Sequence, residues 1–462
     1  MKTLIEAQRR YFLEGHTRPL AQRKQTLRKL RDLLLENEHF LAEALYKDFR
    51  KSFYLVVENE LSLSYGEINH AIRHLHRWAK PRRYRTNLVN FPATSRNIPL
   101  PFGVVLVIAP WNYPIMLSLV PAISALAAGN TVILKPSEIS TYTSEALARL
   151  INRNFPRELF YVQEGGVEET TALLKERFDK IFFTGSTEVG RIVMKAAAEH
   201  LTPVTLELGG KNPAIVMADC RIKITAKRLT WGKFHNYGMA CVSPDHVFVH
   251  ESIRDPLVEE IKQNIVRIYG KDPRQSPVLP RMINEDHFDR VMSLIDPGKV
   301  VVGGKGHRED LYIEPTVLCD VTPADRIMQE EVFGPVMPVL TYRDPDHLTE
   351  MLKNQPAPQS LYIFTRNIRK AKKMMRMIPS GGGMINDVVL QFVNLNTPFG
   401  GLGASGMGSY HGKAGFKTFS HHKTLLNKPT WFDAPLKYPP YRKFNLKIYR
   451  SVMGRSFRNL RR

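Results

Sequence analysis

Cysteine is scarce in this chain. Its 462 residues hold three, Cys220, Cys241 and Cys319, with no CxxC pair. That excludes a disulfide scaffold and points to a reducing compartment, read here as the cytoplasm. Long apolar runs are also missing, and no stretch reaches the roughly eighteen residues a spanning helix needs. The first residues, Met1 to Glu6, lack the apolar segment of a secretory signal. The turn from Gly185 to Gly190 is not a GxGxxG, and no GxSxG elbow suggests a serine hydrolase. Gly209-Gly210-Lys211-Asn212 and Gly303-Gly304-Lys305-Gly306 both lack the spacing and the Ser/Thr of a phosphate-binding Walker sequence. Acidic residues are in deficit, 44 against 66 basic, for a net charge of +22. The basic excess gathers at residues 23–31, 80–85 and 442–462. Such a field favours anionic partners. Nucleic acid is disfavoured, because no recognition module or aromatic platform accompanies the charge. The preferred partner is an anionic membrane surface met by the basic tail, where Phe444, Ile448, Val452 and Phe457 share part of one helical face. A plain solvated basic surface is the alternative.

The length suits two or three domains. Residues 1–80 read as helices, with Leu27, Leu30, Leu33, Leu34 and Leu35 near helical spacing. His70 and His74 stand at i and i+4, a spacing that can seat a metal, but no acidic or Cys partner follows, so no metal site is expected. Residues 81–102, rich in Pro and Arg, read as loop and edge strand. The continuous apolar run from Gly103 to Ala109 suits a strand buried on both faces. A helix at 121–128 and a second apolar strand at 131–134 complete a strand-helix-strand unit of a doubly wound sheet. Lys180 to Thr184 repeats the pattern. There Gly185-Ser186-Thr187-Glu188-Val189-Gly190 opens a helix with Val189, Ile192, Val193, Ala196 and Ala197 as its apolar stripe. A Gly-rich turn into a helix N-terminus can receive phosphate. Beyond residue 209 a second α/β region follows, with strands at 214–217 and 246–249, a helix at 253–268, and a glycine turn at Gly381-Gly382-Gly383.

The chemistry centres on Glu207-Leu208-Gly209-Gly210-Lys211-Asn212-Pro213 and Asn236-Tyr237-Gly238-Met239-Ala240-Cys241. These supply a carboxylate and a thiol in a small-residue turn. A thiol needs partial exposure to act as nucleophile, and a nearby carboxylate can serve a later step as general base. Taken alone, each has a plain structural reading, since a lone cysteine is usually a small buried hydrophobe.

Together with Pro110-Trp111-Asn112-Tyr113-Pro114, Lys135-Pro136-Ser137-Glu138 and Glu330-Glu331-Val332-Phe333-Gly334-Pro335, these runs resemble the aldehyde dehydrogenase superfamily. Cys241-Val242-Ser243-Pro244-Asp245, Pro398-Phe399-Gly400-Gly401 and Ser405 to Lys413 resemble its class 3, the fatty and aromatic aldehyde dehydrogenases. The resemblance implies an α/β fold: a Rossmann-like cofactor domain, an α/β catalytic domain and a β oligomerisation arm. Its segments would be N-terminal helices of the cofactor domain at 1–80, an arm segment at 81–102, and the NAD(P)-binding domain at 103–208. The catalytic domain would span 209–384, a return segment and arm 385–430, and a basic tail 431–462. It implies a homodimer and NAD(P)-dependent oxidation of a medium- or long-chain aliphatic or aromatic aldehyde to the acid.

By the same resemblance, Cys241 is the nucleophile, Glu207 the base for thioester hydrolysis, and Asn112 with the Cys241 N–H the oxyanion donors. Trp111 lies by the cofactor and substrate channel. Lys135 and Glu138 hold the adenosine ribose, Gly185 and Ser186 lie by the pyrophosphate, and Gly190 allows close packing. Glu331 holds the nicotinamide ribose and Phe333 packs near the ring. Glu138 favours NAD, since a 2′-phosphate would meet a like charge, with NADP left open. The chain departs from the family at Met239, where glutamine is usual. That leaves an alternative: a weakened homologue acting as a membrane-surface or binding protein.

Overall fold

Three strands are apolar enough to lie inside a parallel sheet. Val104–Ile108, Thr131–Lys135 and Lys180–Thr184 are buried at every position. They form a sheet in the order Gly406–Met407, Val204–Glu207, Lys180–Thr184, Val104–Ile108, Thr131–Lys135, Phe160–Val162. All neighbours are parallel except Gly406–Met407, which runs antiparallel to Val204–Glu207. Strand order reverses between Val104–Ile108 and Lys180–Thr184. Ligands of doubly wound sheets bind outside the carboxyl ends of the strands at such a reversal. Helix Met116–Ala128 is buried along its whole length, with N-terminal helices over it. Those helices are Leu20–Glu36 and Ser62–Ala79, while Lys2–Leu13 packs on strands Val104–Ile108 and Thr131–Lys135 and Glu38–Phe49 packs on helix Thr141–Asn154. Leu27, Leu30 and Leu34 point into the core, Leu33 is partly buried, and Leu35 is exposed.

The structure, a computed structural model, describes residues 1–433, 437–440 and 442–458. A second sheet is ordered Val300–Val302, Thr316–Leu318, Val336–Tyr342, His246–His250, Pro213–Val216, Ser360–Phe364, Gly382–Ile385. It is parallel apart from its first pair. Gly382–Ile385 corrects the expected glycine turn. It is an edge strand, and Gly383 lies so close to its neighbour that an added Cβ would sit 2.1 Å from the Leu361 carbonyl oxygen. Only glycine fits there, so the residues that suggested a turn serve close strand approach.

The chain divides into two units, Met1–Ala79 with Pro99–His421 and Lys80–Ile98 with His422–Arg462. Both sheets above belong to the first. In the second unit, Arg82–Tyr84 pairs antiparallel with Thr94–Pro101, which neighbours Ser420–Asn427. Helix Lys443–Arg458 follows, with Phe444 exposed and Ile448 partly so. The side chains of Val452 and Phe457, expected on the same face, lie outside the described residues. Among the described residues no helix is long and apolar enough to cross a membrane.

Candidate active site

Glu207 ends the strand Val204–Glu207, and Pro213 opens Pro213–Val216. The Leu208–Asn212 link therefore joins the carboxyl end of one sheet to the amino end of the other. Asn112 follows strand Val104–Ile108 at the same carboxyl edge. Gln359 and Asp245 precede strands Ser360–Phe364 and His246–His250 at the amino edge of the second sheet.

The thiol loop is built by backbone that most residues avoid. After helix Ile222–Phe234, Asn236, Tyr237 and Gly238 take φ of 47°, 61° and 75° in succession. Left-handed conformations are costly outside glycine. Tyr237 is held there by its buried hydroxyl, which donates to the Ile313 carbonyl and accepts the Ile313 N–H at 2.7 Å. Gly238 is required twice over, since a Cβ would also lie 2.2 Å from the Gly334 carbonyl oxygen. The Met239 carbonyl accepts from the side-chain amides of Asn112 and Asn236, each at 3.0 Å. Met239 itself is a fully buried core residue. The two amides orient the loop where glutamine at this position had been the expected agent. One amide hydrogen of Asn112 is thereby engaged, which leaves the amide one further donor.

Asn212 fixes the far side of the loop. Its amide donates to the carbonyls of Cys241 at 2.7 Å and Ser243 at 2.9 Å, while its oxygen accepts the Ser360 N–H at 2.8 Å. Asp245 accepts from Lys211 at 2.6 Å and from the Val332 N–H at 2.8 Å. Lys211 also donates to the carbonyls of Ile327 and Glu330, so this pair secures the segment that carries Glu331. Burial opposes charge on Asp245, but Lys211, His246 and Lys233 outweigh it and hold the carboxyl well below its ordinary range. Asn112 is backed by a fully buried ion pair. Lys51 donates to Glu60 at 2.8 Å and to the Asn112 carbonyl at 3.2 Å, and the other Glu60 oxygen accepts from Ile115 and Met116.

The electrostatics single out three groups. Cys241 is partly exposed. Burial, then Glu331, then Glu207 push its thiol up to about 12. Burial raises Glu207 well above the carboxylate range, against one hydrogen bond from Gln359 that favours the charged form. Burial likewise lifts Glu331 to about 8, with Asp245 adding and the Gly210 N–H opposing. The structure thus gathers Cys241, Glu207, Asn112 and Glu331. The Glu331 carboxylate lies against Gly209, where a Cβ would meet its Oε2 at 2.0 Å. Trp111 and Phe333 meet edge-on with centroids 5.4 Å apart, and Trp111 also contacts Phe49 and His287.

The other residues singled out lie along the carboxyl edge of the first sheet. The Gly185 N–H donates to the Glu207 carbonyl at 3.1 Å. Ser186 caps helix Thr187–Ala198 by accepting the Val189 N–H. Gly190 lies tight against Leu208, where a Cβ would clash at 2.7 Å. The expected apolar stripe of this helix was drawn too wide. Val193 and Ala197 are buried, whereas Val189 and Ile192 face outward. Lys135 is buried and donates to the Pro136 carbonyl and to the exposed Glu138 at 3.4 Å. A cavity of about 500 Å³ is lined by Thr187 of the helix N-terminus, Gly209, Gly210 and Glu331, among others. The N-terminus of helix Thr187–Ala198 thus lies beside this cleft, and a helix N-terminus can receive a phosphate. His74 stacks on Trp78, and His70 meets both rings at a tilt. Among the described residues no group of three His, Cys, Asp or Glu side chains is placed to hold a metal.

Sequence reasoning passed over Asn212, Asp245 and Lys211, although each lies within a run it had singled out. Gln359 and the Lys51–Glu60 pair carry no local signal at all.

The sequence pattern of the aldehyde dehydrogenase family matches residues 1–425. The chain is 42% identical over 442 residues to aldehyde dehydrogenase family 3 member A2 of Macaca fascicularis, covering 95% of this chain and 91% of that one. It is 43% identical over 443 residues to the dimeric NADP-preferring aldehyde dehydrogenase of Canis lupus familiaris, covering 95% and 97%. Among solved structures, AldH of Staphylococcus aureus in its substrate-bound state superposes with a TM-score of 0.96 at 39% identity, covering 98% and 99%. The NAD-dependent aldehyde dehydrogenase of Sinorhizobium meliloti superposes with 0.85 at 30% identity, covering 95% and 88%.

Proposed function

The chain belongs to the aldehyde dehydrogenase family and is an NAD(P)-dependent aldehyde dehydrogenase, and from that premise we propose that Cys241, Asn112 and Glu207 carry the reaction. The observation that carries this reading is the meeting of a partly exposed thiol with a buried carboxyl, Glu207, a half-buried one, Glu331, and a fixed amide at the junction of the two sheets.

Cys241 gives up its proton to solvent and adds through sulfur to the aldehyde carbon. The charge that develops on the carbonyl oxygen falls to the free hydrogen of the Asn112 amide and to the Cys241 N–H. Removing one such donor raises the barrier by about 2.7–4 kcal/mol. Bound NAD(P) would supply the hydride acceptor for this carbon, and loss of that hydride leaves a thioester on Cys241. Glu207 takes a proton from the water that attacks the thioester, and the acid departs as the thiol reforms. A general base acts best when its pKa lies near the working pH, and burial moves Glu207 up from the ordinary carboxylate range in that direction.

Lys135 and Glu138 are assigned to the adenosine ribose, Gly185 and Ser186 to the pyrophosphate, and Gly190 to close helix packing. Glu331 is assigned to the nicotinamide ribose, with Trp111 and Phe333 beside it. Residues 1–80 and 103–208 act as the cofactor domain and 209–384 as the catalytic domain. Residues 81–102 and 385–430 supply the arm. The substrate class is medium- or long-chain aliphatic or aromatic aldehydes, and the assembly a homodimer; the dog relative is dimeric by name. Exposed Tyr84, Phe91, Leu425 and Trp431 of the second unit suit such a contact. The enzyme works in the cytoplasm, with residues 431–462 drawn to anionic membrane surfaces.

The test is reduced-cofactor absorbance with NAD or NADP and aldehydes from short to long chain. Turnover that rises with chain length and vanishes in Cys241→Ala is expected. Turnover that persists in Cys241→Ala overturns the assignment, and a preference for the shortest aldehydes overturns the substrate class.

A further inference from the structure

Glu207 needs help to stay charged, because it is 3% exposed and its carboxylate has one hydrogen bond among the described residues. Gln359 Nε2 donates to Glu207 Oε2 at 3.1 Å, and Glu207 Oε1 has no partner. The titratable groups that face it are Cys241 and Tyr410, both acids, and neither offers a positive charge. The neutral amide of Gln359 is therefore the donor that stabilises the charged form. Hydrogen bonds to an ionised acceptor are about twice as strong as neutral ones.

Gln359 is itself held firmly. It is 1% exposed and stands just before strand Ser360–Phe364. The Gly382 N–H donates to its carbonyl at 3.0 Å. Gly210 and Gly401 crowd it, so that a Cβ on either would lie 3.2 Å from its backbone nitrogen or 2.7 Å from its Oε1. The next residue, Ser360, donates its N–H to Asn212, whose amide holds the Cys241 and Ser243 carbonyls. One strand start thus reaches both halves of the site: a side chain to the carboxylate, and a backbone N–H to the thiol loop.

We infer that Gln359 is a positioning residue for the hydrolytic half-reaction, one that binds Oε2 of Glu207, fixes the carboxylate plane, and leaves Oε1 free to take the proton from water. The inference rests on the reading of Glu207 as general base. Its consequence is confined to one step. Acylation of Cys241 does not use the Glu207 proton site, so the first burst of reduced cofactor is spared. Thioester hydrolysis requires ionised Glu207, and without the amide its ionisation moves to higher pH.

The experiment is rapid-mixing kinetics of wild type, Gln359→Met, Gln359→Glu and Glu207→Gln, each with NAD and a medium-chain aldehyde, from pH 5.5 to 9. Gln359→Met keeps length without a donor, and its deacylation rate is expected to shift its acidic limb up by about one pH unit. That is about a tenfold loss at any pH below the limb. Gln359→Glu sets two carboxyls to share a proton and shifts the limb further in the same direction. The burst amplitude reports folding in each variant. An unmoved acidic limb in Gln359→Met, with full burst amplitude, overturns the inference. Should Gln359→Met lose its burst, the nearly isosteric Gln359→Glu decides by the same criterion. If Glu207→Gln turns over without stalling after the burst, the general-base reading fails. If it stalls while Gln359→Met and Gln359→Glu keep the wild-type limb, only the role of Gln359 fails.

Discussion

Replacing Asn212 with alanine removes three hydrogen bonds at once, to the Cys241 carbonyl, the Ser243 carbonyl and the Ser360 N–H. Asn212 is fully buried. A buried backbone group left without a partner costs about 1–3 kcal/mol, so three cost about 3–9 kcal/mol if the space stays dry. The vacated volume is polar and admits a water that pairs with some of them, which lowers the cost to about 2–5 kcal/mol. The kinetic effect follows from position. A displacement of about 1 Å at the reacting group costs about a hundredfold. The burst of reduced cofactor is expected to slow by about ten- to a hundredfold in Asn212→Ala, with a lower thermal unfolding midpoint. Asn212→Asp keeps the acceptor for Ser360 but offers no donor to the two carbonyls, and its burst should be as slow. A wild-type burst in both variants would refute the claim that Asn212 fixes the thiol.

Three further outcomes follow from the same geometry. Gly209→Ala places a Cβ 2.0 Å from Glu331 Oε2, so the carboxylate must move; a several-fold weaker cofactor titration is expected, and unchanged cofactor binding would contradict the assignment of Glu331. Lys211→Met leaves Asp245 buried without its main partner. Since the folded carboxyl is held below its ordinary range, the pair stabilises above the ordinary carboxylate pKa of about 4 and fades as pH falls below it. The unfolding midpoint of Lys211→Met should therefore drop at pH 7 by the equivalent of about 3 kcal/mol, by nearly as much at about pH 4, and by clearly less near about pH 2; an equal drop at about pH 2 and pH 7 would refute this. Finally, the Cys241 thiol, pushed up to about 12, should react with iodoacetamide at a rate that climbs past about pH 10 without a plateau. Glu331→Gln should move that curve to lower pH, and a wild-type plateau near pH 8 would contradict the cause given.

Much of the fold was legible where one physical demand acts alone. Val104–Ile108 had to be apolar at every position because both its faces are covered. The helix after Ser186 was legible from its glycine-rich opening turn and from Val193 and Ala197, which are buried. Legibility ended where two demands share the same residues. Gly381 to Gly383 carried a turn signal, yet the glycines there admit a neighbouring strand, and no local reading separates the two uses. Val189 and Ile192 had the spacing of a core stripe and lie outside it. At the site, the thiol and carboxyl runs were readable because their residue types are reactive. Asn212 was in view without a role, since its three bonds reach residues up to 148 positions away. Gln359 was invisible. It lies 152 residues from Glu207, in a segment whose neighbours, Pro358 and Ser360, suggest only a loop end.

The central claim is that acyl transfer passes through Cys241 and is released by Glu207. It is tested most directly by peptide mass spectrometry of Glu207→Gln after incubation with NAD and a medium-chain aldehyde. One acyl group per chain on the peptide that contains Cys241, at the mass of the thioester, is the predicted result. An unmodified Cys241 peptide while reduced cofactor accumulates, or the acyl group on Cys220 or Cys319, would contradict it.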